Sequence, residues 1–226
     1  FETLAKIKDL NGNSPVFTAN SLVANPDFSK IKIDGFERYH YELTTETYKK
    51  YPNHARSHEF IMEGIRAGIF VPQFHGREHL NVIRWINGLK GNWPLTRRTF
   101  DLGLFGISTS ISNEKRKSYM EAYGLDDFSE LSQHIHIVKE GLQIFEKIYG
   151  YKSKSFIAPN YTWHCDLDQH LSDSGVFYLQ GKGYRKEPLP DGYNIRRTYM
   201  GKKARYGQIY LRRNCLFEPS FHASDW

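Results

Sequence analysis

Short apolar runs of strand length alternate with segments of helical period along most of this chain. That alternation argues against a helix bundle or an all-β sandwich and for helices packed on a parallel sheet. Pro15 to Asn20 is an apolar run bounded by turn residues, and Asn25-Pro26-Asp27 reads as a helix start with Asn25 as its cap. Phe36 to Glu42 alternates like a strand, and Ser57 to Ile69 carries a helical stripe. Ile69 to Phe74 is the next strand, followed by Leu80, Ile83, Ile86 and Leu89 at helical spacing. Asp101 to Ser108 is apolar and Gly-rich, readable as strand or loop. Phe128 to Tyr149 is the longest helical segment, with Gly150 as its stop. Ser155 to Pro159 (strand), Asp166 to Ser174 (helix) and Val176 to Gln180 (strand) follow. Tyr193 to Met200 and Gln208 to Arg213 read as the two arms of a hairpin with Gly201 to Gly207 as its loop. A parallel sheet, open or closed into a barrel, places its chemistry where strands end and helices begin.

Composition narrows the class further. With 226 residues, 39% of them apolar, the chain can bury a real core as one domain. No run approaches the ~18 apolar residues of a membrane span. Two cysteines, Cys165 and Cys215, cannot make a disulfide framework, which favours a reducing, cytoplasmic setting. The net charge of +6 is local: Tyr184 to Arg213 holds nine basic and two acidic residues, and the remainder is near neutrality. Five tyrosines interleave with those cations, a pattern able to grip a phosphate backbone or an anionic glycan. The plainer reading is the solvated face of a hairpin. No RNA- or DNA-binding signature accompanies it, which argues against nucleic acid as a partner.

Two strand-to-helix junctions carry chemistry. In F-H-G-R-E-H, His75 closes a strand and His79 falls one helical turn further on, so both imidazoles can reach one ion. Two His at this spacing form a common half of a divalent metal site, and imidazole suits zinc. Two unrelated histidines at a helix start remain the alternative. The same letters read as H-x-x-E-H, a metalloprotease pattern that belongs inside a continuous helix, whereas Pro72 and Gly76 favour a turn. In the second junction, I-A-P-N-Y-T-W-H-C, Pro159 and Asn160 present Tyr161 and Trp163 at the sheet edge. Backbone N–H groups there can face an oxyanion, and the aromatics can stack on a sugar or simply pack. His164 and Cys165 are adjacent and would point apart on a strand or helix, which disfavours a Cys–His catalytic pair.

Taken together, H-G-R-E-H, F-I-A-P-N-Y and the terminal Asp225-Trp226 resemble the NodB-type polysaccharide deacetylases, carbohydrate esterase family 4. H-G-R-E-H-L-N and A-P-N-Y-T-W are closer still to a bacterial polysaccharide deacetylase-like subgroup. The resemblance implies a distorted (β/α) barrel of about seven parallel strands, with the hairpin added near the C-terminal end. It implies a divalent metal, zinc or similar, and hydrolysis of acetyl groups on a glycan. By carry-over, His75 and His79 are metal ligands, the Tyr161 backbone N–H helps hold the oxyanion and Trp226 lines the acetyl pocket; Trp163, from the second junction, is the other candidate substrate contact.

The chain departs from that family in several places. Its opening T-F-D-D-G, which supplies the base and the third ligand, has no counterpart before His75. T-F-D-L-G at Thr99 to Gly103 follows the His pair and lacks the second Asp. The family Arg that orients the base is Ile157 here, and the Leu-x-His of its general acid would lie beyond Trp226. The expectation is therefore one deacetylase-like domain over 1–226 without its first and last barrel segments. A non-catalytic carbohydrate-binding protein on the same fold is the alternative.

Overall fold

The computed structural model describes residues 1–108 and 116–212. After a short α1 (Glu2–Lys6), the chain runs β1 (Phe17–Leu22), β2 (Ala24–Pro26), α2 (Phe28–Ile33), β3 (Tyr41–Leu43), α3 (Thr44–Lys49) and α4 (Ser57–Arg66). It continues through β4 (Phe70–Gly76), α5 (Val82–Lys90), α6 (Pro94–Asp101), α7 (Leu131–Tyr149) and β5 (Ser155–Ile157). The remainder is α8 (Leu167–Asp173), β6 (Tyr178–Gly181), β7 (Tyr184–Leu189), β8 (Gly192–Arg197) and β9 (Ile209–Arg212).

Five strands form one parallel sheet in the order β1-β4-β5-β6-β9. That order rises monotonically along the chain, as winding round a barrel requires; a doubly wound sheet would reverse. Among the described residues β1 and β9 do not pair, so the sheet stays open between them. The expectation of about seven parallel strands is thus corrected to five, with no closed barrel among the described residues. The difference lies in what the other short strands do. β2 pairs antiparallel with β3, and β7 with β8, as two ribbons outside the sheet.

The two sheet faces differ in polarity. Phe74, Phe156 and Leu179 are buried on one, where Phe74 meets Phe145 of α7 edge-on and stacks on Phe156. One cluster of buried apolar residues runs from Val23 to Tyr210. At alternate positions the other face carries Gln73, Ser155 and Gln180. There Gln73 Oε1 accepts from Ser155 N (2.8 Å), Lys154 N (2.9 Å) and the hydroxyls of Ser153 and Ser155, and Gln180 Nε2 donates to Ser155 Oγ. This buried polar network ties β4, β5 and β6 together, which sets the strand ends in fixed relation.

Several local expectations shift. Residues 24–26 are strand rather than helix start, because they pair with β3 and Asn25 donates to Thr47 Oγ1. Asp27 caps α2 instead, accepting from Lys30 N at 2.9 Å. The Phe36–Glu42 strand shrinks to Tyr41–Leu43, and 101–108 contains no strand beyond the end of α6. α7 ends as expected at Gly150, in the left-handed conformation. The C-terminal hairpin is rearranged. β8 turns back on β7 through the two-residue loop Pro190-Asp191, while the arm assigned to it, β9, enters the parallel sheet beside β6. Among the described residues no helix is long and apolar enough to cross a membrane.

Candidate functional site

β4 ends at Gly76, and His75 stands at the C-terminal edge of the sheet. Its Nδ1–H donates to the carbonyl of Ile157, the last residue of β5, at 2.7 Å. That bond makes Nδ1 the protonated nitrogen and leaves the lone pair on Nε2, the tautomer that metal-binding histidines favour. His79 lies in the loop 77–81, since α5 begins only at Val82 with Asn81 as its cap (Asn81 Oδ1 accepts from Arg84 N, 3.0 Å). The expected helical turn between the two histidines is therefore absent, yet the loop brings their rings to 5.1 Å between centroids. Nδ1 of His79 is buried without a hydrogen-bond partner. Burial holds this imidazole below its ordinary pKa, so it is neutral and can act as a ligand at neutral pH.

The middle of the motif faces inward. Arg77 and Glu78, with side chains 6% and 2% exposed, form a bidentate pair with both distances 2.6 Å. Arg77 also bonds Glu140 of α7 and lies 4.5 Å from the centroid of the Tyr41 ring. Burial opposes the guanidinium's charge, but the bonds to Glu78 and Glu140 outweigh it and keep Arg77 protonated. The Arg77 carbonyl accepts from Val23 N and Ala24 N, anchoring the loop to the β1–β2 corner. Glu78 thus has no route to a metal-bound site, and without a helix over 75–79 the protease pattern loses its geometry.

Gly76 is the residue that this turn requires. Its φ is +132°, and a Cβ there would sit 3.2 Å from both the Glu78 carbonyl oxygen and the buried Tyr123 hydroxyl. A hydroxyl-bearing residue does not fit this turn.

The second junction is a tight left-handed turn. Asn160 and Tyr161 have φ of +54° and +57° after Pro159. Here two expectations are corrected. The Tyr161 N–H donates to the Ala158 carbonyl at 2.9 Å, so the turn itself consumes the proposed oxyanion donor. Trp163 is 1% exposed: its Nε1–H donates to Asp168 Oδ1 (2.8 Å), its ring meets Phe156 edge-on, and Arg185 lies over it at 4.2 Å. It is core, not a substrate contact. Tyr161 does present a half-buried ring, with Lys182 Nζ 4.8 Å from its centroid. Trp226 lies outside the described residues.

A cavity of about 250 Å³ opens over the ends of β5, β6 and β9, lined by Ile157, Gln180, Gly181, Met200, Leu211 and Arg212. Ile157 therefore both faces this mouth and orients His75 through its carbonyl. Arg212 brings a cation to the cavity that Ile157 leaves apolar. A larger cavity of about 490 Å³ lies away from both histidines, between the 37–41 segment, α5 and α7.

Among the described residues no third His, Cys, Asp or Glu completes a three-donor set with His75 and His79. One three-donor group does exist elsewhere: His164, Cys165 and Glu187, with donor atoms within 4.8 Å of one another. Residues 164 and 165 lie in a turn, not on a strand or helix, so adjacent side chains converge here against expectation. Glu187, 22 residues on, arrives through the bridge between Thr162 and Lys186, which no sequence spacing signals. Its carboxylate is already engaged by Arg196, Asn194 and the Cys165 N–H, and burial beside it pushes the Cys165 thiol up to about 11. For all three donors to meet one ion, the Glu187 carboxylate would have to give up part of these bonds.

No family model matches the chain, and no curated protein matches it. Among solved structures it is similar to IcaB from Ammonifex degensii at 14% identity and TM-score 0.33, over 54% of this chain and 38% of that one. It is also similar to the alpha-amylase AmyC from Thermotoga maritima at 12% identity and TM-score 0.39, over 75% of this chain and 24% of that one. The chain spans well under half the length of either, and superpositions this loose carry no weight for the site's chemistry.

Proposed function

We propose that this protein is a metal-dependent hydrolase that removes acetyl groups from a polysaccharide or other glycan. The observation that carries the reading is the His75–His79 pair at the C-terminal edge of a parallel sheet, 5.1 Å apart, with the His75 tautomer set by the Ile157 carbonyl. The motif resemblance of H-G-R-E-H and F-I-A-P-N-Y supports the same chemistry. His75 and His79 would hold the ion, and the unpartnered, buried Nδ1 of His79 fits a ligand role. Zinc suits two neutral imidazoles, and when bound it would supply Lewis-acid polarisation of an acetyl carbonyl and an acidified water. The exposed part of the Tyr161 ring offers a face for a sugar, and the mouth beside Ile157 offers room for an acyl group.

A second reading, a carbohydrate-binding protein without turnover on the same fold, is favoured by one specific observation. The Tyr161 N–H is spent within its own turn, and no third donor joins the pair among the described residues. Metal analysis and acetate release from acetylated oligosaccharides separate the two. The hydrolase reading expects bound zinc and released acetate, both lost in His75→Ala. Glycan binding that persists in chelator with no acetate released would establish the second reading and overturn the first.

A further inference from the structure

We propose that the cavity between the β7–β8 hairpin, the 202–205 loop and α8 binds a phosphate- or sulfate-type oxyanion, free or carried by a small ligand. This goes beyond the deacetylase reading and does not rest on it. The cavity has a volume of about 240 Å³, and six cations line it: Arg185, Arg196, Arg197, Lys202, Lys203 and Arg205. One acid, Asp168, lines it with them.

The hairpin register puts Arg185 directly opposite Arg196, a like-charge pairing that costs stability unless each is neutralised. Each is. Buried Arg185 bonds Asp168 at 2.7 Å, with the Tyr210 hydroxyl at 3.1 Å, and Arg196 bonds Glu187. The other four have no such compensation: Arg197, Lys202, Lys203 and Arg205 make no ion pair with any described residue.

The backbone that carries them is held in place. Lys202 Nζ donates to the Arg197 carbonyl at 2.6 Å, tying the loop to the end of β8. The loop backbone is bonded in turn: Gly201 N to Tyr210 O (2.9 Å), Tyr210 N to Lys202 O (2.8 Å) and Ala204 N to Gln208 O (2.7 Å). Uncompensated cations gathered round one hollow on this bonded backbone carry a self-repulsion that a bound anion relieves. Two of the four are arginines, whose planar forks suit a tetrahedral oxyanion. The site is a compact hollow rather than an extended basic stripe, which fits one phosphoryl or sulfuryl group and not a tracked nucleic-acid backbone.

The test is calorimetric titration of the protein with pyrophosphate at low salt, with sodium chloride of equal ionic strength as control. Saturable one-site binding is expected, weakened about tenfold or more in Arg197→Ala/Lys203→Ala/Arg205→Ala, since charge-assisted hydrogen bonds are removed. The exposed Arg197, Lys203 and Arg205 leave the core intact, and Arg197→Lys/Arg205→Lys should restore part of the affinity. His75→Ala should bind as the parent does, so failure of the hydrolase reading and failure of this one are distinguishable. A hexosamine 6-phosphate that binds more tightly than inorganic phosphate assigns the anion to a sugar ester; equal affinities assign it to free phosphate. No saturation up to about 10 mM pyrophosphate, or parental affinity in the triple variant, overturns the proposal. Tighter binding of a single-stranded oligonucleotide, with a salt slope of several phosphates, would equally overturn it.

Discussion

Replacing Arg77 with Met tests whether the centre of H-G-R-E-H is structural. The substitution removes the bidentate partner of Glu78, whose side chain is 2% exposed, and leaves a carboxylate that water cannot reach. Glu140 loses a bond too, but it is 29% exposed and can be solvated. Breaking one side of such a pair costs about 4 kcal/mol, which in a chain of this size is roughly 8–16 °C in Tm. The deficit should depend on pH. With no cation beside it, burial raises the Glu78 pKa in the folded state above its unfolded value. The variant's stability is then fullest below the unfolded carboxylate pKa and is lost as pH rises. Thermal melts and urea titrations at pH 5 and pH 8 should therefore show a larger loss at pH 8. Arg77→Met/Glu78→Leu, which removes both charges, should recover all but about 1–2 kcal/mol. A single variant melting within about 2 °C of the parent at pH 8, or a double variant no better than the single, would refute the buried-pair argument.

Three further outcomes follow from the same geometry. His134 is 1% exposed with neither ring nitrogen hydrogen-bonded, and burial, helped by the charge of Arg84, lowers its pKa from 6.5 to about 4. Stability should thus be intact above pH 6.5 and fall by up to about 3 kcal/mol on acidification towards pH 4; denaturant titrations of His134→Leu should show a flatter profile. Gly76→Ala forces a side chain into φ +132° against the Glu78 carbonyl, so melts should show a loss of roughly 2–4 kcal/mol and zinc titration a weaker site. Trp163→Ala should lower stability by about 3–5 kcal/mol and leave the substrate KM of any folded protein near the parent's, as expected of a core residue.

Much of the frame was legible in the chain because it is local. The periodicity of Phe128 to Tyr149 and the Gly150 stop gave a helix that the structure keeps over Leu131–Tyr149, and the apolar run Ile69 to Phe74 gave the strand found at Phe70–Gly76. The His75–His79 convergence was also anticipated, though for the wrong reason: a helical turn was expected and a loop held by Arg77 and Asn81 does the work. Trp163 was misread because an aromatic after a Pro-Asn turn looks the same whether its indole meets solvent or Asp168. The hairpin was misassigned because Y-R-K-E-P-L mixes charge into its alternation, which hid β7 and left β9 as the only visible partner for β8.

What the sequence determined by itself is the class of fold, helices alternating with parallel strands, and the two junctions where chemistry could sit. Hydrophobic period and turn chemistry act over a few residues, so they can be read without knowing what lies alongside. Which side chains at those junctions face a common space was decided only in three dimensions. Arg77 and Glu78 turn inward because the guanidinium bonds Glu78 and also Glu140, 63 residues away, while the carbonyl of Ile157, 82 residues away, holds Nδ1 of His75. The four uncompensated cations of the basic cavity are neighbours within 197–205 and were legible as a cluster; what strand pairing decided is that Arg185 faces Arg196 across the hairpin and that Asp168 joins the same wall.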